Sequence, residues 1–274
     1  MNQYLADWQL SDAQLLTETM TSRIYTVKHG SEQVILKLLA PTETEEQRGA
    51  FTLRYFDGHG AVRLLRHDNG AQLLEYADGQ ELVTLVERGE DENATRIIAG
   101  VLNQLHSVPQ DKPTDGMFTL DRWFEELFNK AKADKLSGDD SIFVRAAALA
   151  ERLLADQRDI RVLHGDIHHR NIRQSTRGWL AFDPKGLVGE RTYDCANTLC
   201  NPGMTELVHN QTRLLTHAGI LADELKIDQQ RILAFTFAYA CLNTSQWLAL
   251  SGGEMYIDWS LKVAKIIEPH LKGV

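Results

Sequence analysis

The 274-residue chain is 43% hydrophobic and carries a formal net charge of −9, so it has the length for two packed lobes and the apolar content for a sizeable core. The acidic balance argues against nucleic acid as a partner and suits a cationic small molecule. Cys195, Cys200 and Cys241 form no C-x-x-C pair, which argues against structural zinc and disulfides and for a reducing compartment; with no basic-then-apolar leader in residues 1–7 and no apolar run of spanning length, a cytoplasmic protein without a membrane partner is expected.

The first third reads as strands, one helix and a hairpin. Thr19-Met20-Thr21-Ser22-Arg23 precedes an apolar strand at 24–27. The hydroxyls and amides of Thr21 and Ser22 suit a phosphate contact, and equally a plain polar turn. Residues 34–39 are strand-like, with Lys37 as the only charge, so Lys37 needs either an anionic partner or a solvent-facing edge. After Pro41, Thr42-Glu43-Thr44-Glu45 fits a capping box and predicts a helix start. Glu46 falls in its first turns, with Ala50 and Leu53 four and seven residues on, which places it on the apolar side where it can turn toward Lys37. A solvated acidic residue is the alternative. Runs at 61–65 and 71–76 flank Asp68-Asn69-Gly70, a hairpin signal, and the second run leads through Glu75, Tyr76 and Ala77 to Asp78-Gly79.

Beyond this the chain turns helical. Ala94, Ile97, Ile98, Val101, Leu102 and Leu105 repeat at helical spacing, as do Trp123, Phe124, Leu127, Phe128 and Ala131; these aromatics read as core. Helices are predicted near 204–219, 228–250 and 255–271, although the periodicity of residues 235–239 is ambiguous. No internal repeat, low-complexity tract or long linker is evident.

The densest chemistry is His164-Gly165-Asp166-Ile167-His168-His169-Arg170-Asn171, with Asp183 twelve residues further on. Asp166 and Asn171 reproduce the D-x-x-x-x-N spacing of a phosphotransferase catalytic loop, and the apolar run 179–182 delivers a second carboxylate. Asp166 can take the proton of an attacking hydroxyl, while oxygens of Asn171 and Asp183 suit hard magnesium. The turn Ser175-Thr176-Arg177-Gly178 predicts a small hairpin whose two ends carry Asn171 and Asp183. A rival reading takes Gly-Asp-Ile-His as the first block of a binuclear phosphoesterase. It requires a second Gly-Asp block and a Gly-Asn-His block downstream, and the sequence has neither.

With the segments 60–65, 73–77, 163–169, 177–180 and 183–190 taken together, the chain resembles the aminoglycoside phosphotransferase superfamily, in particular streptomycin 6-kinases and hydroxyurea phosphotransferases. The resemblance implies an α+β, bilobal protein-kinase-like fold, with a small antiparallel-sheet lobe at 1–76 and a larger, mainly helical lobe at 77–274. It implies ATP and Mg2+ as cofactors and a hydroxyl of an aminoglycoside, streptomycin above all, as acceptor; hydroxyurea or another small alcohol is the alternative. By the same resemblance Asp166 is the catalytic base, Asn171 and Asp183 hold metal, Lys37 holds phosphates, Glu46 orients Lys37, and Glu75, Tyr76 and Ala77 form the adenine hinge. Lys185 departs from the apolar residue expected there, and suits either phosphate charge or an ion pair with Glu190. Glu190, Asp194, Glu254 and Asp258 are the acids available to a cationic acceptor, though Asp194 also fits a helix-start cap and Glu254 with Asp258 a solvated helix face. A catalytically silent nucleotide-binding module is the reading from another class; the joint presence of Lys37, Asp166, Asn171 and Asp183 speaks against it.

Overall fold

A computed structural model describes residues 1–19, 21–40, 44–110, 114–203, 205–250 and 254–272, with the backbone alone for 44–46, 205 and 254. A short helix, α1 (Asn2–Asp7), precedes three strands, β1 (Leu10–Glu18), β2 (Ser22–His29) and β3 (Glu32–Leu39). Helix α2 (Thr44–Phe56) and the hairpin β4 (Leu64–His67) and β5 (Ala71–Glu75) complete the first lobe. The sheet is antiparallel in the order β1-β2-β3-β5-β4, which puts the lysine strand at its centre. Alternation along β3 separates two faces. Val34 and Leu36 pack with Trp8, Leu10, Val27 and Leu73 in a small outer core, and Ile35 and Lys37 turn toward the rest of the molecule.

The hairpin forms where Asp68-Asn69-Gly70 predicts it. The Asp68 carboxylate accepts hydrogen bonds from the amides of Gly70 (2.8 Å) and Ala71 (3.0 Å), the side-chain turn that Asp favours. Its first strand starts at Leu64 rather than Ala61. Residues 60–62 have another partner: the amide of Ala181 donates to Gly60 and that of Val62 to Ala181, tying the first lobe to the second.

The second lobe begins with α3 (Val83–Glu87) and α4 (Asp91–His106), then β6 (Phe118–Thr119), α5 (Leu120–Trp123), α6 (Glu125–Leu136) and α7 (Ile142–Ala155). Strands β7 (Ile160–Leu163), β8 (Ile172–Ser175), β9 (Gly178–Ala181) and β10 (Leu187–Glu190) carry the catalytic segments. Helices α8 (Asp194–Leu199), α9 (Thr205–Val208), α10 (Gln211–Leu225), α11 (Gln229–Ala249) and α12 (Glu254–Ile267) finish the lobe. The single helix predicted over 204–219 is two, because Asn210 caps α10 by accepting from the Arg213 amide. In α11 every residue from 231 to 242 is buried, which is why this stretch shows no clean apolar stripe. Among the described residues no helix is long and apolar enough to cross a membrane.

Two buried polar knots lock the helical lobe. Arg231 of α11 grips both carboxylate oxygens of Glu190 at 2.6 Å, and Arg213 of α10 grips Asp91 at 2.5 and 2.9 Å. Beside the second knot, His217 meets the Thr95 hydroxyl at 2.8 Å. Burial first, and then the Arg213 charge, push the His217 imidazole down to about 4, against the opposing pull of Asp91. The folded chain therefore refuses a proton that the unfolded chain accepts below about pH 6.5. Stability is complete above that pH and falls as the pH drops toward 4. His217 should account for roughly 2–3 kcal/mol of the stability lost in urea unfolding over this window, read as the difference in slope between wild type and a shallower His217→Gln.

Candidate active site

The catalytic loop leaves β7 and turns sharply at Gly165, whose φ is +79°. A Cβ there would come within 2.8 Å of Leu187, so only glycine meets both the dihedral and the packing. The loop is held from below by Asp194, at the start of α8. Its buried carboxylate accepts the amides of His164 (3.0 Å) and Gly165 (2.7 Å) and meets His106 Nε2 at 2.9 Å. The His164 ring accepts the Asp166 amide at Nδ1 and donates from Nε2 to the Phe182 carbonyl. Burial keeps this imidazole neutral, depressing its pKa despite the nearby Asp194 and Asp166, and the two bonds fix its tautomer.

Asp166 is thereby presented at the loop apex. Asn197, three residues along α8 from Asp194, donates to Asp166 Oδ1 at 2.7 Å. Asn171 spends its amide nitrogen on the Asp166 carbonyl (3.0 Å) and Oδ2 (3.4 Å), so its amide oxygen is the atom with which it could ligate a metal. Lys185 Nζ lies 3.7 Å from Asp166 Oδ2. The ion pair between Lys185 and Glu190 does not form, because Glu190 is buried and held by Arg231, Thr192 and the Arg158 amide.

Asn171 and Asp183 bracket the β8–β9 hairpin, which the Phe182 amide closes by donating to the Asn171 carbonyl at 3.0 Å. Asp183 sits at φ +63°, a left-handed conformation that Asp tolerates better than most residues. Its carboxylate meets Lys37 Nζ at 2.6 Å, with Lys37 7% exposed and Asp183 45% exposed. Burial alone would raise this carboxyl; the Lys37 charge and hydrogen bond, followed by Lys185 and His164, hold it below the usual range. Glu46 lies in the first turn of α2, but its side chain, like Thr42 and Glu43, is outside the described residues.

Two cavities meet at this block. One, of about 390 Å³, has apolar walls that include Ile24, Ile35, Leu74 and Phe182; Lys37 and Asp183 lie at one side and Glu75, Tyr76 and Ala77 at the hinge side. Its size and lining suit a nucleotide base with phosphates at the charged end. Glu75 itself is committed to Arg177 and the Arg63 amide, so the hinge offers backbone rather than this carboxylate. The other cavity, of about 500 Å³, lies across Asp166 and is walled by Asn197, Asn201, Asn243, Trp247, Tyr256 and Trp259 among others. Arg170 lines both.

The remaining expected residues lie elsewhere. The amides of Thr21 and Ser22 donate to Thr19 Oγ1 in a local turn, and Leu16, Thr17 and Ile24 border the first cavity in their place. Asp194 acts from beneath the loop, not from the cavity wall. Asp258 is exposed and outside the second cavity's lining, and the Glu254 side chain is outside the described residues. Sequence reasoning missed Asn197 and the aromatic wall. The i,i+3 spacing of Asp194 and Asn197 is the signal that puts both on one face of a helix; the aromatics carry no comparable mark.

The pair Asn171 and Asp183 fits a hard divalent cation whose remaining ligands are phosphate oxygens and water, since magnesium is commonly held by one or two protein oxygens. Among the described residues no group of three or more His, Cys, Asp or Glu could cage a metal.

Comparison with known proteins agrees with this geometry. A family model described as "Aminoglycoside/hydroxyurea antibiotic resistance kinase" matches residues 7–251. A streptomycin 3''-kinase of Klebsiella pneumoniae is 34% identical over 248 residues, 88% of this chain and 90% of that protein. A hydroxyurea phosphotransferase of Kitasatospora aureofaciens is 32% identical over 272 residues, 97% of this chain and 77% of that protein. The fold matches a thermostable mutant of aminoglycoside phosphotransferase APH(4)-Ia, in ternary complex with AMP-PNP and hygromycin B, with a TM-score of 0.64 at 12% identity over 100% of this chain and 99% of that one.

The Asp194 clamp predicts a large stability effect. Asp194→Ala strands two buried amides and should lower the unfolding free energy by about 3–5 kcal/mol in urea. A change below about 1 kcal/mol would show that the loop is held by other contacts.

Proposed function

Because the chain belongs to the aminoglycoside/hydroxyurea antibiotic resistance kinase family and is an ATP-dependent phosphotransferase, we propose that it phosphorylates a hydroxyl of an aminoglycoside, with streptomycin as the leading acceptor, and uses Mg2+ with ATP. The observation that carries the reading is the pair of cavities flanking one loop, Asp183 and Lys37 facing one and Asp166 the other. In it, residues 1–76 form the nucleotide-binding lobe and 77–274 the catalytic and substrate-binding lobe.

Each residue has a task that follows from its position. Lys37 holds phosphate oxygens, Glu46 orients Lys37, and the backbone of Glu75, Tyr76 and Ala77 meets the adenine edge. Asn171 and Asp183 hold magnesium, which supplies positive charge to the phosphate oxygens. Asp183 stays ionised because Lys37 and Lys185 stand beside it, so its carboxylate is available to the metal at neutral pH. Asp166, anchored on Asn197, accepts the hydrogen bond of the acceptor hydroxyl and takes its proton as the acceptor oxygen bonds to the γ-phosphorus of ATP and the bond from that phosphorus to the β–γ bridging oxygen breaks, releasing ADP. Lys185, beside Asp166, adds a cation where charge shifts between acceptor and leaving oxygens.

An aminoglycoside is favoured over hydroxyurea by size. A cavity of about 500 Å³ far exceeds what a molecule as small as hydroxyurea can fill, and its other wall residues would be left without substrate contact. The relatives named for streptomycin and for hydroxyurea support both acceptors within the family.

The reading is tested by a phosphotransfer screen with ATP and Mg2+ across streptomycin, other aminoglycosides and hydroxyurea. Turnover is expected on streptomycin, and stimulation by no aminoglycoside would overturn the acceptor assignment. On the active acceptor, Asp166→Ala should cut kcat by about 10²–10⁴-fold with the KM for ATP nearly unchanged. Lys185→Met should cut kcat by roughly 10²-fold; wild-type turnover would remove Lys185 from the chemistry.

A further inference from the structure

Among its described lining residues, the cavity across Asp166 is not the cluster of acids expected for a cationic substrate. Glu190 and Asp194 are consumed in structural bonds, and Asp166 is the sole carboxylate among its described lining residues. Aromatic faces and carboxamides take the place of acids. Trp247, near the C-terminal end of α11, stacks on Tyr256 of α12 with centroids 4.6 Å apart and planes 12° apart, and Trp259 stands one helical turn further at 6.3 Å from Tyr256. Tyr256 is 40% exposed, so the stack is open at the cavity rather than sealed in the core.

The carboxamides form a directed chain. Asn201 donates to Asn197 Oδ1 at 2.8 Å, and Asn197 donates to Asp166 Oδ1 at 2.7 Å. With its nitrogen spent, Asn201 offers oxygen to a ligand. Asn243 is fixed by the Ser260 hydroxyl at 2.8 Å. Arg170, the arginine among the described lining residues, has Glu81 within 3.8 Å. Ring faces, amide oxygens and a carboxylate all present negative potential, so a bound cation gains at each of them.

We propose that the stacked Trp247 and Tyr256, with Trp259 and the Asn197–Asn201 pair, form an acceptor subsite for a planar guanidinium group, recognised by ring faces and carboxamide oxygens. A guanidinium is flat and weakly hydrated, stacks on an aromatic face, and keeps its N–H donors in the plane. A compact, strongly hydrated ammonium uses such a wall less well. The subsite deepens the aminoglycoside reading, on which it rests for the identity of the acceptor, while its ligand chemistry is tested independently.

The test uses the full chain, 15N-labelled at its indoles, titrated with 4-guanidinobutanol and with 4-ureidobutanol, which has nearly the same shape and no charge. Binding is read from the Trp247 and Trp259 indole N–H signals. The guanidino alcohol should bind about 10-fold more tightly than the ureido alcohol. Trp247→Leu should abolish that preference and raise the acceptor KM by about 10-fold with the KM for ATP unchanged. Trp247→Phe, which retains a ring face and guards against a folding defect in the Leu variant, should keep most of it.

Equal binding of the two probes, or a Phe variant as indifferent as the Leu variant, overturns the subsite. The two readings fail separately. Streptomycin turnover with no guanidinium preference removes the subsite and leaves the kinase assignment, whereas a guanidinium preference without turnover of any aminoglycoside leaves the subsite and removes the named acceptor.

Discussion

The buried carboxylate of Asp194 is the constraint on which the site depends. A charge taken out of water must be met by donors, and here these are the amides of His164 and Gly165 and the ring of His106. One side chain thus joins α4, the catalytic loop and α8. Because Asn197 follows on the same helix face, the anchor of the loop also delivers the partner of Asp166. Asp166 is positioned by a chain of satisfied polar groups, which is what lets a loop hold a fixed geometry.

The same logic of paired charge divides the cleft into two chemical halves. In the cavity that Lys37 lines, the charges of Lys37 and Lys185 hold the Asp183 carboxyl below its usual range against the upward push of burial. A carboxylate held anionic beside an amide oxygen is a hard ligand pair. On the far side of Asp166 the lining changes to rings and amides. Carboxylates that composition made available for a cationic acceptor are spent elsewhere, Glu190 on Arg231 and Asp194 on the loop. Net negative charge is therefore a poor guide to which acids face a ligand, since a buried acid reports on packing.

The sequence made the reaction centre legible because its spacing is local. Asp166, Asn171 and Asp183 lie within eighteen consecutive residues, and one tight loop and one hairpin suffice to bring them together. Lys37 was legible as a lone charge in an apolar strand that needs an anionic partner, and among the described residues Asp183 supplies one. Ala61 and Val62 were misplaced in the hairpin strand since a short apolar pair reads the same whether it lies on β5 or, as found, on Ala181, whereas Arg63 does meet the Glu75 amide of β5. The polar turn at Thr21 and Ser22 bonds to itself. Its composition fits a phosphate loop and a closed turn alike.

Sequence alone thus determined a cluster: an acid, an amide, a second acid and a lysine at spacings that hairpin and strand geometry bring together. Tertiary structure alone decided what lines the cavity across Asp166. Trp247, Tyr256 and Trp259 read as ordinary apolar helix residues, and only the packing of α11 against α12 turns them to the cavity beside Asn197 and Asn201. Local spacing fixes neighbours along a chain, whereas the crossing of two helices near the C-terminus with a loop far earlier is set by burial across the whole lobe.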